Sequence, residues 1–167
     1  YDQRKTWLTY EEIVNDSRPL QTNKGKIMAA IDLNTVRATI EARVATELAS
    51  SPAISVVFHN MSFDSSAVTT FVQCLTTFGE SNYLTQGNAD GLNRVNGIVV
   101  FNIFTPQGIG SGDNYTIGKR LRDLYNRITV SNVIFDAPIG PEVVDNPNPE
   151  GQFQTQLRMT FEIFEEL

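Results

Sequence analysis

The sequence predicts an α+β domain: an antiparallel or mixed β-sheet with two main helices packed on it, preceded by an extended N-terminal arm. Three observations lead there. Residues 34–50 carry Val36, Ile40, Val44 and Leu48 at the spacing of one helix face. Residues 114–127 repeat that spacing with Ile117, Leu121, Leu124 and, just beyond, Ile128. Near the end, Phe153, Thr155, Leu157, Met159, Phe161 and Ile163 alternate with Gln154, Gln156, Arg158, Thr160 and Glu162, the period of a half-buried strand. With the intervening segments the order reads α, β, β, β, α, β, β, which places helices on a sheet rather than in a bundle.

Taken in chain order, residues 1–27 read as an arm. Thr9-Tyr10-Glu11-Glu12 fits a capping box for a short helix through Val14, with Trp7, Leu8, Tyr10 and Ile13 as its apolar side. Residues 15–26 read as linker, and the arm is expected to dock on a neighbour. An alternative is that Met28 is a second start and the arm an extension. Residues 28–167 then form a single domain. Its first helix is capped by Asp32 or Asn34, carries Leu33 at the head of its apolar stripe and the wet-side pairs Arg37–Glu41 and Arg43–Glu47, and ends at Ser50-Ser51-Pro52.

Residues 54–58 form a short strand, and a polar turn runs from Asn60 to Ser66. Val68–Phe78 is a longer strand, rich in β-branched and aromatic residues. Gly79–Asn93 reads as a long polar loop, of the kind that carries function. Arg94–Phe104 is a strand with a possible bulge at Gly97. Pro106–Asp113 is a glycine-rich turn, with Ser111 or Asp113 capping the second helix. That helix is expected to show Lys119, Arg120, Arg122 and Arg127 outward. Val130–Phe135 is a strand, and Ala137–Gly151 an acidic loop rich in Pro, Asn and Gly.

Composition narrows the chemistry. At 167 residues, 41% of them hydrophobic, the chain can bury one real core. The longest apolar stretches run to four or five residues, so no membrane-spanning helix is expected, and the start lacks the apolar run of a secretory signal. One cysteine, Cys74, allows no internal disulfide, and one histidine, His59, allows no multi-His metal site within a chain. The net charge is −6 and is unevenly placed: residues 1–28, 29–135 and 136–167 carry +1, −1 and −6. An acidic chain does not suit a dedicated nucleic-acid binder, which neutralises phosphates with clustered Lys and Arg. An acidic end beside a basic helix suits head-to-tail pairing between copies.

Individual constellations weigh against an active site. His59, Ser62 and Asp64 lie in one turn, whereas a nucleophilic triad converges from separate elements. Cys74 falls mid-strand and reads as a buried, inert thiol. The stretch PQGIGSGD lacks the lysine and hydroxyl of a phosphate loop, and Asp113 would repel a phosphate. Asp145–Glu150 lacks the alternating ligands and central glycine of a calcium loop. Asn60-Met61-Ser62 and Asn114-Tyr115-Thr116 match glycosylation sequons. No enzyme activity, cofactor or metal is expected.

Four stretches together resemble the bacteriophage tail terminator family, the tail-completion or minor tail proteins: MAAIDLNTVRATIEARVATEL, RVNGIVVFNIFTPQGIG, YTIGKRLRDLY and FQTQLRMTFEIF. The likeness is one of pattern and order over nearly all the chain except the arm, which departs from the compact start the family implies. The resemblance implies a homohexameric ring that caps the tail tube, stops its polymerisation and offers a joint to the head–tail connector. Its partners would be further copies of itself, the tube protein and the connector or neck protein; DNA would pass through the lumen without specific binding, and no membrane would be involved. The protein would belong to the virion tail or neck and assemble in the cytoplasm of the bacterial host. A different neck, connector or tube-like virion protein, or a cellular α+β binding module, are the alternatives. Interface residues are expected on the arm (Trp7, Tyr10), in the glycine-rich turn (Gly108, Gly110) and on the basic helix (Lys119, Arg120, Arg122, Arg127).

Overall fold

A computed structural model describes residues 32–66, 68–85, 91–145, 147, 149 and 151–166. Trp7, Tyr10 and the rest of the arm, and Met28 after it, lie outside them. Helix α1 spans Leu33–Ala49, followed by β1 (Ser55–Phe58), β2 (Phe71–Tyr83) and β3 (Leu92–Pro106). Helix α2 (Gly112–Tyr125) precedes β4 (Thr129–Val130), β5 (Val133–Phe135), β6 (Ile139–Val143) and β7 (Gln152–Glu166). The seven strands form one mixed sheet in the order β1-β2-β3-β7-β5-β4, with β6 also on β7. Only β1 and β2 pair in parallel; the other pairs are antiparallel. The α+β class is therefore as the periodicities predict.

Both helices lie on one face of this sheet. In α1 the stripe Val36, Ile40, Val44 and Leu48 is buried, while Leu33, at the helix's first residue where the stripe runs off the sheet, is 45% exposed. Asp32 caps α1 by accepting the Asn34 amide at 3.1 Å, and hydrogen bonds from the Thr35 hydroxyl and that amide hold its carboxyl below the usual range. On the sheet, Val72, Cys74, Val99, Phe101, Ile103, Leu157, Met159, Phe161 and Ile163 complete the core with Ile117, Leu121 and Tyr125 of α2. Each large side chain fully withdrawn from water here contributes roughly 1.5–3 kcal/mol before packing losses are counted. A smaller cluster, Val57, Phe71 and Phe104 with Phe63 and Val68, stands apart from that core.

Several boundaries differ from those the sequence suggests. The segment 79–93 is not one long loop: β2 continues to Tyr83, β3 starts at Leu92, and the Leu84 amide donates to the Leu92 carbonyl at 2.8 Å. Main-chain pairing holds this ribbon, helped by Asn93, whose amide donates to Ser81 Oγ and Glu165 Oε1. The bulge falls on β2, where Gly79 and Glu80 interrupt the register between Phe78 and Ser81, not at Gly97. Gly97 answers a different demand, since a Cβ there would lie 2.1 Å from the tip of the Phe161 ring.

Residues 130–135 are likewise not one strand. Ser131 and Asn132 both take positive φ, 47° and 68°, and form the two-residue turn between β4 and β5. The acidic loop contains β6, whose Ile139, Glu142 and Val143 pair with Arg158, Gln156 and Thr155. Arg43 does not pair with Glu47; its guanidinium donates to the Leu124 carbonyl at 3.1 and 3.2 Å and lies over the Tyr125 ring.

Candidate functional site

Helix α2 is fixed to the sheet from its first turn, which decides what its outer face can present. Asn114 is fully buried there. Its side-chain amide donates to the Ile103 carbonyl at 2.9 Å and to Thr155 Oγ1 at 3.2 Å, and its oxygen accepts from Thr105 Oγ1. One side chain thus ties α2 to β3 and β7. The sequon at Asn114 gives no sign of this burial, although the spacing 114, 117, 121 and 125 lies on one helical face with Tyr125 as its last member. Burial also removes Asn114 from consideration as a glycosylation acceptor. The N-cap position holds Ser111, whose side chain makes no capping hydrogen bond.

The four basic residues expected on the outer face of α2 do not form a patch. Lys119 is exposed and pairs with Asp123 at 2.6 Å. Arg120 is turned inward instead. It meets Glu47 Oε1 at 3.2 Å and donates to the carbonyls of Glu47 and Pro52 and to Ser50 Oγ at 2.6, 3.0 and 2.8 Å. Those groups lie in the last turn of α1 and just beyond it, where the Ser50 amide and hydroxyl also donate to the Glu47 carbonyl, so Arg120 adds to the C-cap from the other helix. Arg122 donates to the Gly140 carbonyl and joins α2 to β6, where Gly118 also sits close against Pro141. Arg127 is exposed just past the helix end, at φ +52°. Of the four, Lys119 and Arg127 are presented outward, one from within the helix and one beyond its C-cap.

The glycine-rich turn presents an exposed apolar side chain. Gly108 and Gly110 take φ of +89° and +92°, and a Cβ at either would meet nothing within 4 Å. Between them Ile109 stands 62% exposed. At the other end of β3, the ribbon carries Tyr83 at 76% and Leu84 at 44% exposure. A strand of fifteen residues separates these two apolar ends by roughly 50 Å.

The face of the sheet away from the helices carries two polar or open features. Gln156 donates to Asn102, and Asn102 to Gln73, each at 3.0 Å, so three strands are stitched by one amide ladder. Beside it opens a cavity of about 270 Å³ lined by Val57, Met61, Phe63, Phe71 and Phe104 among others. In the preceding turn Asp64 accepts from the Ser66 amide and hydroxyl, which lowers its pKa, and its carboxylate is thereby committed to Ser66 rather than to His59 or Ser62.

Cys74 is buried, and desolvation, with the Glu41 carboxylate nearby, pushes its thiol up to about 12. That is the opposite of an activated nucleophile. Among the described residues no three His, Cys, Asp or Glu side chains converge to hold a metal ion, and no helix is long and apolar enough to cross a membrane.

Comparison with known proteins adds fold information alone. No family model matches the chain, and no curated protein matches it. A solved structure whose name states no function is similar at a TM-score of 0.60 and 14% identity, over 80% of this chain and 96% of that one. At that identity the likeness concerns the course of the backbone and carries no residue roles.

Proposed function

We propose that this protein is a virion structural subunit that closes into a ring, caps the end of a phage tail tube and joins it to the head connector. The observation that carries the reading is the pair of apolar ends described above, Tyr83 and Leu84 on one side of β3 and Ile109 on the other. A subunit that stands between a tube and a connector needs a contact surface at each end. Apolar side chains held at opposite ends of the longest strands supply them. The order of elements in residues 32–166, which follows the resemblance to tail terminators, supports the same reading. DNA would pass through the lumen of such a ring, and a net charge of −6 favours passage over capture.

Native mass measurement with negative-stain imaging of the concentrated protein, alone and mixed with purified tail tubes, tests this. Closed rings of about six copies with an open centre, or density on one tube end, are expected. A strict monomer that leaves tube ends bare and growing would overturn it. Binding along the tube rather than at its end would favour a tube-like or neck protein instead.

A further inference from the structure

We propose that the cavity on the helix-free face of the sheet, walled by Phe63, Phe71 and Phe104, binds a small organic cation, an ammonium group carrying methyl substituents. The inference is independent of ring formation.

The first ground is how the wall is built. Phe71 and Phe104 are register partners on β2 and β3, and their rings stack with centroids 4.6 Å apart and planes 17° apart. Phe63, from the connection between β1 and β2, leans on Phe71 at 4.6 Å and 47°. Val57, which pairs with Gln73 across β1 and β2, and Met61, 56% exposed, complete the apolar part. The polar members, Ser65 and Gln73, are neutral, and Pro149 joins them from the segment between β6 and β7. Gln73 accepts from the Asn102 amide, and Asn102 accepts from Gln156, so this side of the wall is fixed before a ligand arrives. A volume of about 270 Å³ falls just short of the roughly 300–1,000 Å³ of pockets for drug-sized ligands, which suits one compact group.

The second ground is charge. The three stretches that supply the wall, residues 44–93, 95–118 and 128–157, contain no lysine or arginine. They do carry Asp64, between Phe63 and Ser65, and Asp136, Glu142 and Asp145 in the segment that leads to Pro149. Among the described residues, the basic side chains that the strand register puts on this face are Arg158 and Arg94. Both are paired, with Glu142 at 3.5 Å and with Glu162 at 3.8 Å. An anion would thus enter without a partner. A cation instead meets aromatic rings, whose faces are the negative part of their quadrupole.

The third ground selects the kind of cation. A bare ammonium is strongly hydrated and gives up that water at a cost, which a wall with only two neutral polar side chains does not return. Methyl groups spread the charge, shed water readily and pack against Val57 and the polarizable sulfur of Met61. Such a group exists on free molecules such as choline and on methylated lysine side chains.

NMR titration of the full chain in about 0.15 M salt tests this, since general attraction to an acidic protein is largely screened there. Choline should shift the Gln73 side-chain amide and saturate with a Kd of about 1–10 mM. Dimethylbutanol, its uncharged carbon isostere, should bind at least about fivefold more weakly. Phe63→Leu keeps the wall apolar and should reduce that preference to about twofold. Should this variant lose the dispersed signals of the folded core, Ser65→Lys decides: a competing cation in the wall should weaken choline at least about tenfold, and unchanged affinity overturns the proposal. Equal binding of choline and its isostere to the wild type, or no shift of Gln73 up to about 50 mM, would overturn it outright. Acetyl-trimethyllysine amide separates the two sources. Binding about tenfold tighter than choline assigns the site to a methylated side chain, and equal or weaker binding assigns it to a free cation.

Discussion

Replacing Asn114 by alanine removes, in one step, the acceptor of the Thr105 hydroxyl and the donor to Ile103 and Thr155, all within the core. Orphaned buried groups cost about 1–3 kcal/mol each, so Asn114→Ala is expected to lower unfolding free energy by at least about 2 kcal/mol in urea titrations. A loss below about 0.5 kcal/mol would show that water replaces the side chain without cost. Cys74 gives a pH dependence with a definite sign. Its thiol ionises near 9.0 when unfolded and near 12 when folded, so the unfolded chain sheds the proton first. The contribution is intact below pH 9 and declines as pH rises toward 12, by about 1.4 kcal/mol at pH 10. Burial also raises the Tyr125 pKa, from a higher starting value of 10.0, so the interval from pH 8 to 10 chiefly reports the thiol. The urea midpoint of Cys74→Val should change less over that interval than that of the wild type; equal changes would refute the assignment.

Arg120 and Lys119 are adjacent in sequence and opposite in role, and the two helices make the difference measurable. Arg120→Glu uncaps the end of α1 and sets like charges at Glu47, with an expected loss of about 1.5–3 kcal/mol. Lys119→Glu touches only a solvated pair and should stay within about 0.5 kcal/mol. Thermal or urea melts of the two variants check this, and equal effects would remove the capping role. These two residues also mark what was legible beforehand. Helical periodicity identified α1, α2 and most of their buried stripes, because a stripe is written in the chain itself. It could not tell which arginine reaches the other helix, since that depends on the packing of two elements 73 residues apart at Arg120 and Glu47. The ribbon around Tyr83 and the strand β6 escaped for a related reason. Polar residues there carry no alternation, and backbone pairing to a neighbouring strand sets their conformation.

At the scale of the molecule, the two apolar ends of β3 predict separable effects. Ile109→Asp and Leu84→Asp change exposed side chains, so each is expected to melt within about 0.5 kcal/mol of the wild type. Under the proposed function each should nevertheless block a different contact, one with the tube and one with the connector, which imaging of tubes and connectors mixed with each variant would show. Loss of neither contact would leave the exposed ends without a role in assembly. The turn that carries Ile109 was readable at Gly108 and Gly110, because a turn that needs positive φ is visible in composition. The other end, held by polar main-chain pairing, was not.

The position of β7 has a consequence for how the protein is made. β7 is the last synthesised of the described strands, yet it lies between β3 on one side and β5 and β6 on the other. Until residues 152–166 leave the ribosome, β1-β2-β3, β4-β5 and the lone strand β6 have no strand joining them, and β3 has an open edge of fifteen residues. Folding must then wait for a late, long-range insertion that joins all three pieces, which makes it slow for its size and leaves nascent chains prone to pair with one another. Ribosomes that stall a few codons before β7 should release insoluble fragments rather than partly folded domains.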